Sequence, residues 1–192
     1  MLKTKTIALG VAAVLAFGIG LQLGGPAFAQ QAAGDGKKQE KVAKDQAEAD
    51  LINGLAKEKD PKKQIEALEK WKKDYPDTAF ADERRQAFLV AYAQLQDCRN
   101  ASKAARDILA VNPTHDLSLR VLASCIYSIK GATDDEYDAA EKAAHALVDH
   151  PSKAADNQMT DAQWADFILL CKNVTPFIDI QKKNDEIGRA HV

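Results

Sequence analysis

The sequence predicts an all-α protein built from consecutive antiparallel helix pairs stacked side by side. Three observations predict it. From Asp45 onward, apolar residues recur at helical spacing. Glycine and proline are sparse, 10 and 6 of 192 residues, in a chain rich in Ala and Lys, which favours helix. Tyr75-Pro76, Asn112-Pro113 and His150-Pro151 each end such a pair, 37 residues from Pro76 to Pro113 and 38 from Pro113 to Pro151. Regular spacing in this range, with two helices per unit, marks stacked hairpins rather than a closed bundle. Each proline ends its pair because the residue before it is pushed out of helical geometry.

The chain opens with "MLKTKTIALGVAAVLAFGIGLQLGGPAFAQQ". Lys3 and Lys5 precede an apolar run from Ile7 to Leu23, and Ala27-Phe28-Ala29 is a small-residue A-x-A site. That tripartite pattern predicts a signal peptide over 1–29, cleaved after Ala29, and so a periplasmic or secreted protein. The competing reading, an uncleaved anchor, has a run a little short for a span. Without Lys3 and Lys5 the mature chain carries 24 basic against 28 acidic residues. That balance gives no electrostatic reason for nucleic acid or an anionic membrane as partner. Residues 30–44, "QQAAGDGKKQEKVAK", have too little apolar surface to offset ordering and are expected to be a flexible leader.

Three pairs are predicted over 45–151. In the first, Leu51, Ile52 and Leu55 share a face, "KEKDPKK" breaks the helix, and Ile65, Leu68 and Trp71 form the return stripe. Asp60 is expected to accept from free amides and Pro61 to occupy the first helical position. In the second, Phe88, Tyr92 and Leu95 line a face with Leu89 and Ala91 beside them. Asp97 caps the return helix carrying Ala101, Ala105, Ile108 and Leu109. In the third, Leu119, Leu122, Ala123 and Ile126 precede the break "KGATDDEYD", and Thr133-x-x-Glu136 is a capping box opening a helix with Ala139, Ala143, Ala146 and Leu147. Over 152–185 further helices forming an incomplete repeat are expected. Thr160-x-x-Gln163 opens a helix with Trp164, Phe167, Ile168 and Cys171, Pro176 interrupts or kinks it, and "IQKKNDE" resembles the turn between helices of a further repeat.

The last residues stand apart. "IGRAHV" is what ATCGGAAGAGCACACGTC encodes, the start of a common short-read sequencing adapter, and the preceding adapter bases fit the codon of Glu186. Residues 186–192 are therefore expected to be adapter-derived, with the native chain continuing past Asp185.

At "YAQLQDCRNASKAARDILAVNP" the chain resembles the tetratricopeptide repeat. With Pro113 at the family's terminal proline, an ungapped 34-residue frame runs from Asp82 to His115, placing Tyr92, Ala101, Leu109, Asn112 and Pro113 on family positions. Leu89 and Gln96 stand where the family has glycines, and Arg85 where it often has Trp. The segment 45–78 fits the same frame, and the third unit fits with an insertion. The resemblance implies a right-handed superhelical array whose first helices line a concave groove for partner peptides. Carried over residue by residue, that groove would include Glu83, Gln86, Val90 and Ala93 from one unit and Arg120, Ser124 and Tyr127 from the next. A merely solvated inner face is the alternative.

Other candidate chemistry is sparse. Trp71 reads as a core anchor at helical spacing with Leu68 rather than a stacking platform. Cys98 opens one return helix and Cys125 lies near the end of the following helix, ends that stacked hairpins bring to one side. A Cys98–Cys125 disulfide, contributing roughly 3 kcal/mol, and a pair of buried thiols both remain open. Cys171 sits among apolar residues and reads as a buried thiol. His115, His145 and His150 form no metal-ligand motif, and His145 and Asp149 suit a surface pair. Carboxylates alternate with lysine as on a solvated helix face. The arginines lack interleaved aromatics.

The function expected is an exported interaction scaffold that binds a protein or peptide, without enzyme activity or cofactor. The alternative is the N-terminal repeat segment of a longer protein whose activity lies downstream.

Overall fold

The computed structural model describes residues 41–151, 153–154 and 157–190. They form α1 (Gln46–Lys57), α2 (Pro61–Asp74), α3 (Ala81–Gln94), α4 (Cys98–Leu109), α5 (Asp116–Cys125), a 3₁₀ turn (Ile126–Ser128), α6 (Asp134–Asp149), α7 (Asp161–Lys172) and α8 (Val174–Ala190). Among the described residues there is no strand. The expected signal peptide, residues 30–40 of the expected leader, and residues 191–192 of the expected adapter-derived end lie outside the described residues.

The helix starts follow from local side-chain chemistry. Asp60 accepts from the Lys62 amide at 2.9 Å with Pro61 as the first helical residue. Asp97 accepts from the Asn100 amide. Thr133 and Glu136 complete one capping box and Thr160 and Gln163 another. Each satisfies amides that an α-helix leaves without a partner in its first turn. His115 is a cap that the sequence did not suggest: its Nδ1 accepts from the Ser118 amide at 3.2 Å and opens α5.

Packing follows chain order. Each of α2 to α6 packs on its predecessor and successor, most extensively at α4 against α5, and α7 and α8 both pack on α6. Two clusters of the core meet at α3. Phe88 and Ala91 pack with Leu55, Leu68 and Trp71. Leu89, one residue on, packs with Ala101, Ala105, Ile108, Leu122 and Ala143. A helix buried on two sides needs apolar residues beyond a single stripe. That is why Leu89 is fully buried at a position where the resembling family has glycine.

The first cluster also holds a buried polar network. Glu48 is 0% exposed, and its carboxylate accepts from Trp71 Nε1 at 2.8 Å and the Lys44 amide at 2.7 Å. The Thr78 hydroxyl is a further donor to it. Arg84 lies over the Trp71 ring, 5.6 Å from its centroid, and donates to the carbonyls of Tyr75 at 2.7 Å and Pro76 at 3.2 Å. A guanidinium thus meets the carbonyl end of α2, where the helix dipole favours a cation. So Trp71 is the expected anchor, 2% exposed, and it carries a polar handle as well.

Two expectations are corrected after Asp161. Pro176 does not interrupt a helix. The break falls at Asn173, which caps α7, and Pro176 is the third residue of α8, where its missing N–H is not needed. "IQKKNDE" is helix within α8 rather than a turn. It contains neither Gly nor Pro, and its Gln, Lys and Glu are good helix formers. His145 pairs at 4.0 Å with Glu141, one turn before it, rather than with Asp149.

Gln96 is the one non-glycine described residue at positive φ, 56°. It links α3 to α4 and is exposed. A side chain costs about 1–2 kcal/mol in this region, against a smaller entropic cost of glycine in the unfolded chain. Gln96→Gly is expected to raise stability by about 0.5–1 kcal/mol in urea titration. A loss would show that the Gln96 side chain has a favourable role.

Candidate functional site

The seven expected groove residues lie on α3 and on the segment from α5 into the 3₁₀ turn, but the fold already engages most of their polar atoms. Lys41 Nζ reaches both Glu83 carboxylate oxygens, at 2.7 and 2.8 Å, so the chain before α1 lies against the start of α3. Arg120 Nε is held by Asp116 at 2.7 Å, with each side chain less than a fifth exposed. Ser124 Oγ donates back to the Arg120 carbonyl at 2.8 Å. Tyr127 is covered: its hydroxyl donates to the Leu170 carbonyl at 3.0 Å, and its ring packs on Phe177 with centroids 4.6 Å apart. Burial pushes its phenol up to about 12. Arg120 is therefore held within α5, Tyr127 joins the 3₁₀ turn to α7 and α8, and a ligand would have to displace those bonds to use them.

Gln86, Val90 and Ala93 remain on α3, Gln86 exposed and the other two half-buried. Gln86 lines a cavity of about 170 Å³ with Asp82 and Arg85 of α3 and Ile108, Val111 and Asn112 from the end of α4. Arg85 and Asp82 pair with each other across one turn. Its apolar lining is the buried Ile108 and the 61% exposed Val111, and its other lining residues offer amide, carboxylate and guanidinium groups. A volume below the 300 Å³ or so of small-molecule pockets suits one side chain of a docked segment rather than a cofactor. Arg85 and Val111 were not on the expected groove. Arg85 was singled out only for occupying the position where the resembling family often has Trp, and Val111 lies in the break that precedes Pro113.

Cys98 is the first residue of α4 and Cys125 the last of α5. Both are buried, both are thiols here, and they hydrogen-bond to each other. Cys171 is buried elsewhere, and burial pushes its thiol up to about 12. Among the described residues no group of three or more His, Cys, Asp or Glu is placed to hold a metal ion. Nor is any helix there long and apolar enough to cross a membrane. A scan against protein-family models matches none, and searches of curated proteins and of solved structures return no match.

Proposed function

We propose that this chain is an exported scaffold of the tetratricopeptide-repeat type, which acts by holding an extended segment of another protein and performs no chemistry. The observation that carries the reading is serial packing: α1 to α6 stack in chain order, and the α3 face exposes Gln86 beside a cleft sized for one side chain. A right-handed superhelix would repeat such faces along its inner side. The resemblance around Pro113 supports the same architecture, and the basic, apolar and A-x-A pattern of residues 1–29 supports export.

The groove proposed is narrower than the family frame implies. It centres on Gln86, Val90 and Ala93 with Arg85 and Val111, because Glu83, Arg120 and Tyr127 have partners within the fold. A photo-reactive amino acid at position 86 is expected to cross-link one partner in extracts of the source cell's exported fraction. The same group at Lys103, exposed on α4, is expected to leave that partner unlabelled. Equal labelling from both positions would remove the groove.

A further inference from the structure

We propose that Cys98 and Cys125 are a reversible dithiol–disulfide pair, oxidised by exchange with a small disulfide that reaches Cys98 through the cleft between residues 96–99 and 128–130.

Position is the first support. Cys98 begins α4, at the positive end of the helix dipole, a place that favours thiolate. Cys125 ends α5, and the two thiols are in hydrogen-bond contact within one core cluster. Access is the second. A cavity of about 210 Å³ is lined by Cys98 together with Asp97, Arg99, Ser128 and Lys130, whereas Cys125 does not line it. Arg99 spans this cleft, donating to the Lys130 carbonyl at 3.0 Å and approaching Glu136 at 3.4 Å. The cleft thus opens onto one sulfur and leaves the other behind it.

Electrostatics agree with that order. The Cys98 thiol is lowered, chiefly because Cys125 hydrogen-bonds to its sulfur, with Ser128 adding to this against burial and the Asp97 charge. Cys125 is raised, first by its hydrogen bond to Cys98 and then by burial. Cys98 is therefore the sulfur that attacks and Cys125 the one that resolves.

The exchange balances in two steps. The Cys98 thiolate attacks RSSR, forming Cys98–S–S–R; one RS⁻ departs and takes up the proton that Cys98 gave to solvent. The Cys125 sulfur then attacks the Cys98 sulfur of that mixed disulfide, its proton passing to the second departing RS⁻. Two protein thiols are oxidised and one small disulfide becomes two thiols. The product ties the start of α4 to the end of α5, across the most extensive helix contact in the fold.

Oxidised glutathione is the test probe, applied to the folded full chain, with peptide mapping by mass spectrometry. The wild type is expected to lose two thiols at Cys98 and Cys125, keep Cys171 reduced, retain no adduct, and unfold at higher temperature than its reduced form. Cys125→Ser is expected to retain one glutathionyl group on Cys98, and Cys98→Ser to remain unmodified. Persistence of both wild-type thiols in the folded chain, under conditions that oxidise the urea-unfolded chain, would overturn the proposal. So would glutathionylation of Cys125 in Cys98→Ser as fast as that of Cys98 in Cys125→Ser. The wild-type result stands alone if either variant fails to fold.

Discussion

Trp71→Ala is expected to lower the free energy of unfolding by about 3–5 kcal/mol, the largest single loss among the substitutions considered. Two effects add. The indole is 2% exposed and fills the centre of the first cluster, against Leu55, Leu68, Phe88 and Ala91. Its removal opens a cavity that fixed helices fill only in part. Its N–H is also a donor to the buried Glu48 carboxylate, 2.8 Å away. Loss of that donor leaves a buried charge under-bonded, and the Arg84 guanidinium loses the ring over which it lies. Trp71→Phe separates the terms, since it keeps most of the volume and drops the N–H. It is expected to cost about 1–3 kcal/mol. Denaturant titration checks both, and a Trp71→Ala loss below about 1 kcal/mol would mean that the indole is not an anchor.

Glu48 is the second. Glu48→Ala removes an acceptor shared by the Trp71 indole, the Lys44 amide and the Thr78 hydroxyl. Buried donors left without partners cost about 1–3 kcal/mol each when water cannot replace the acceptor. A total loss of about 2–4 kcal/mol is expected. The same carboxylate makes stability depend on acid. Burial alone would raise its pKa. The hydrogen bonds from Thr78, the Lys44 amide and Trp71, with the Lys44 charge, outweigh burial and hold it below its ordinary value of 4.5. A carboxylate depressed in the folded state binds protons more readily when unfolded. Its contribution is therefore complete above the unfolded value, near pH 4.5, and is lost as pH falls through the lower folded value. Glu48→Gln keeps the shape but cannot titrate. It is expected to start less stable at pH 7 and to lose less stability between pH 5 and pH 3. Parallel acid limbs for the two proteins would show that Glu48 is not the group responsible. Asp45, also lowered, chiefly by the Glu48 amide, supplies an acid limb that remains in the variant.

What could be read beforehand was chemistry that acts over a few residues. Asp60 before Pro61, Asp97, Thr133 with Glu136 and Thr160 with Gln163 all sit where their spacing put them, because a cap and its amide are two or three residues apart. The stripe of Leu68 and Trp71 was legible for the same reason. Glu48 was not. Two residues from Asp50 near the start of α1, it looks like one more solvated carboxylate, and its indole partner lies 23 residues away. Arg84 and Arg85 are neighbours of identical chemistry. Only the rotation of α3 against α2 decides that the first turns inward and the second rims the cleft. The exposure of Gln86 was legible and the burial of Tyr127 was not, since its cover comes from Leu170 and Phe177, beyond the segment that the repeat frame describes well.

The divided loyalty of α3 has a mechanical consequence. Phe88 belongs to one cluster, Leu89 to the next, and Tyr92 and Ala104 touch both. Under tension applied to the two termini, the first hairpin cannot peel away without stripping a wall from the second. The described array should then yield in one rupture rather than as a ladder of small steps, and behave as a stiff strut up to that force.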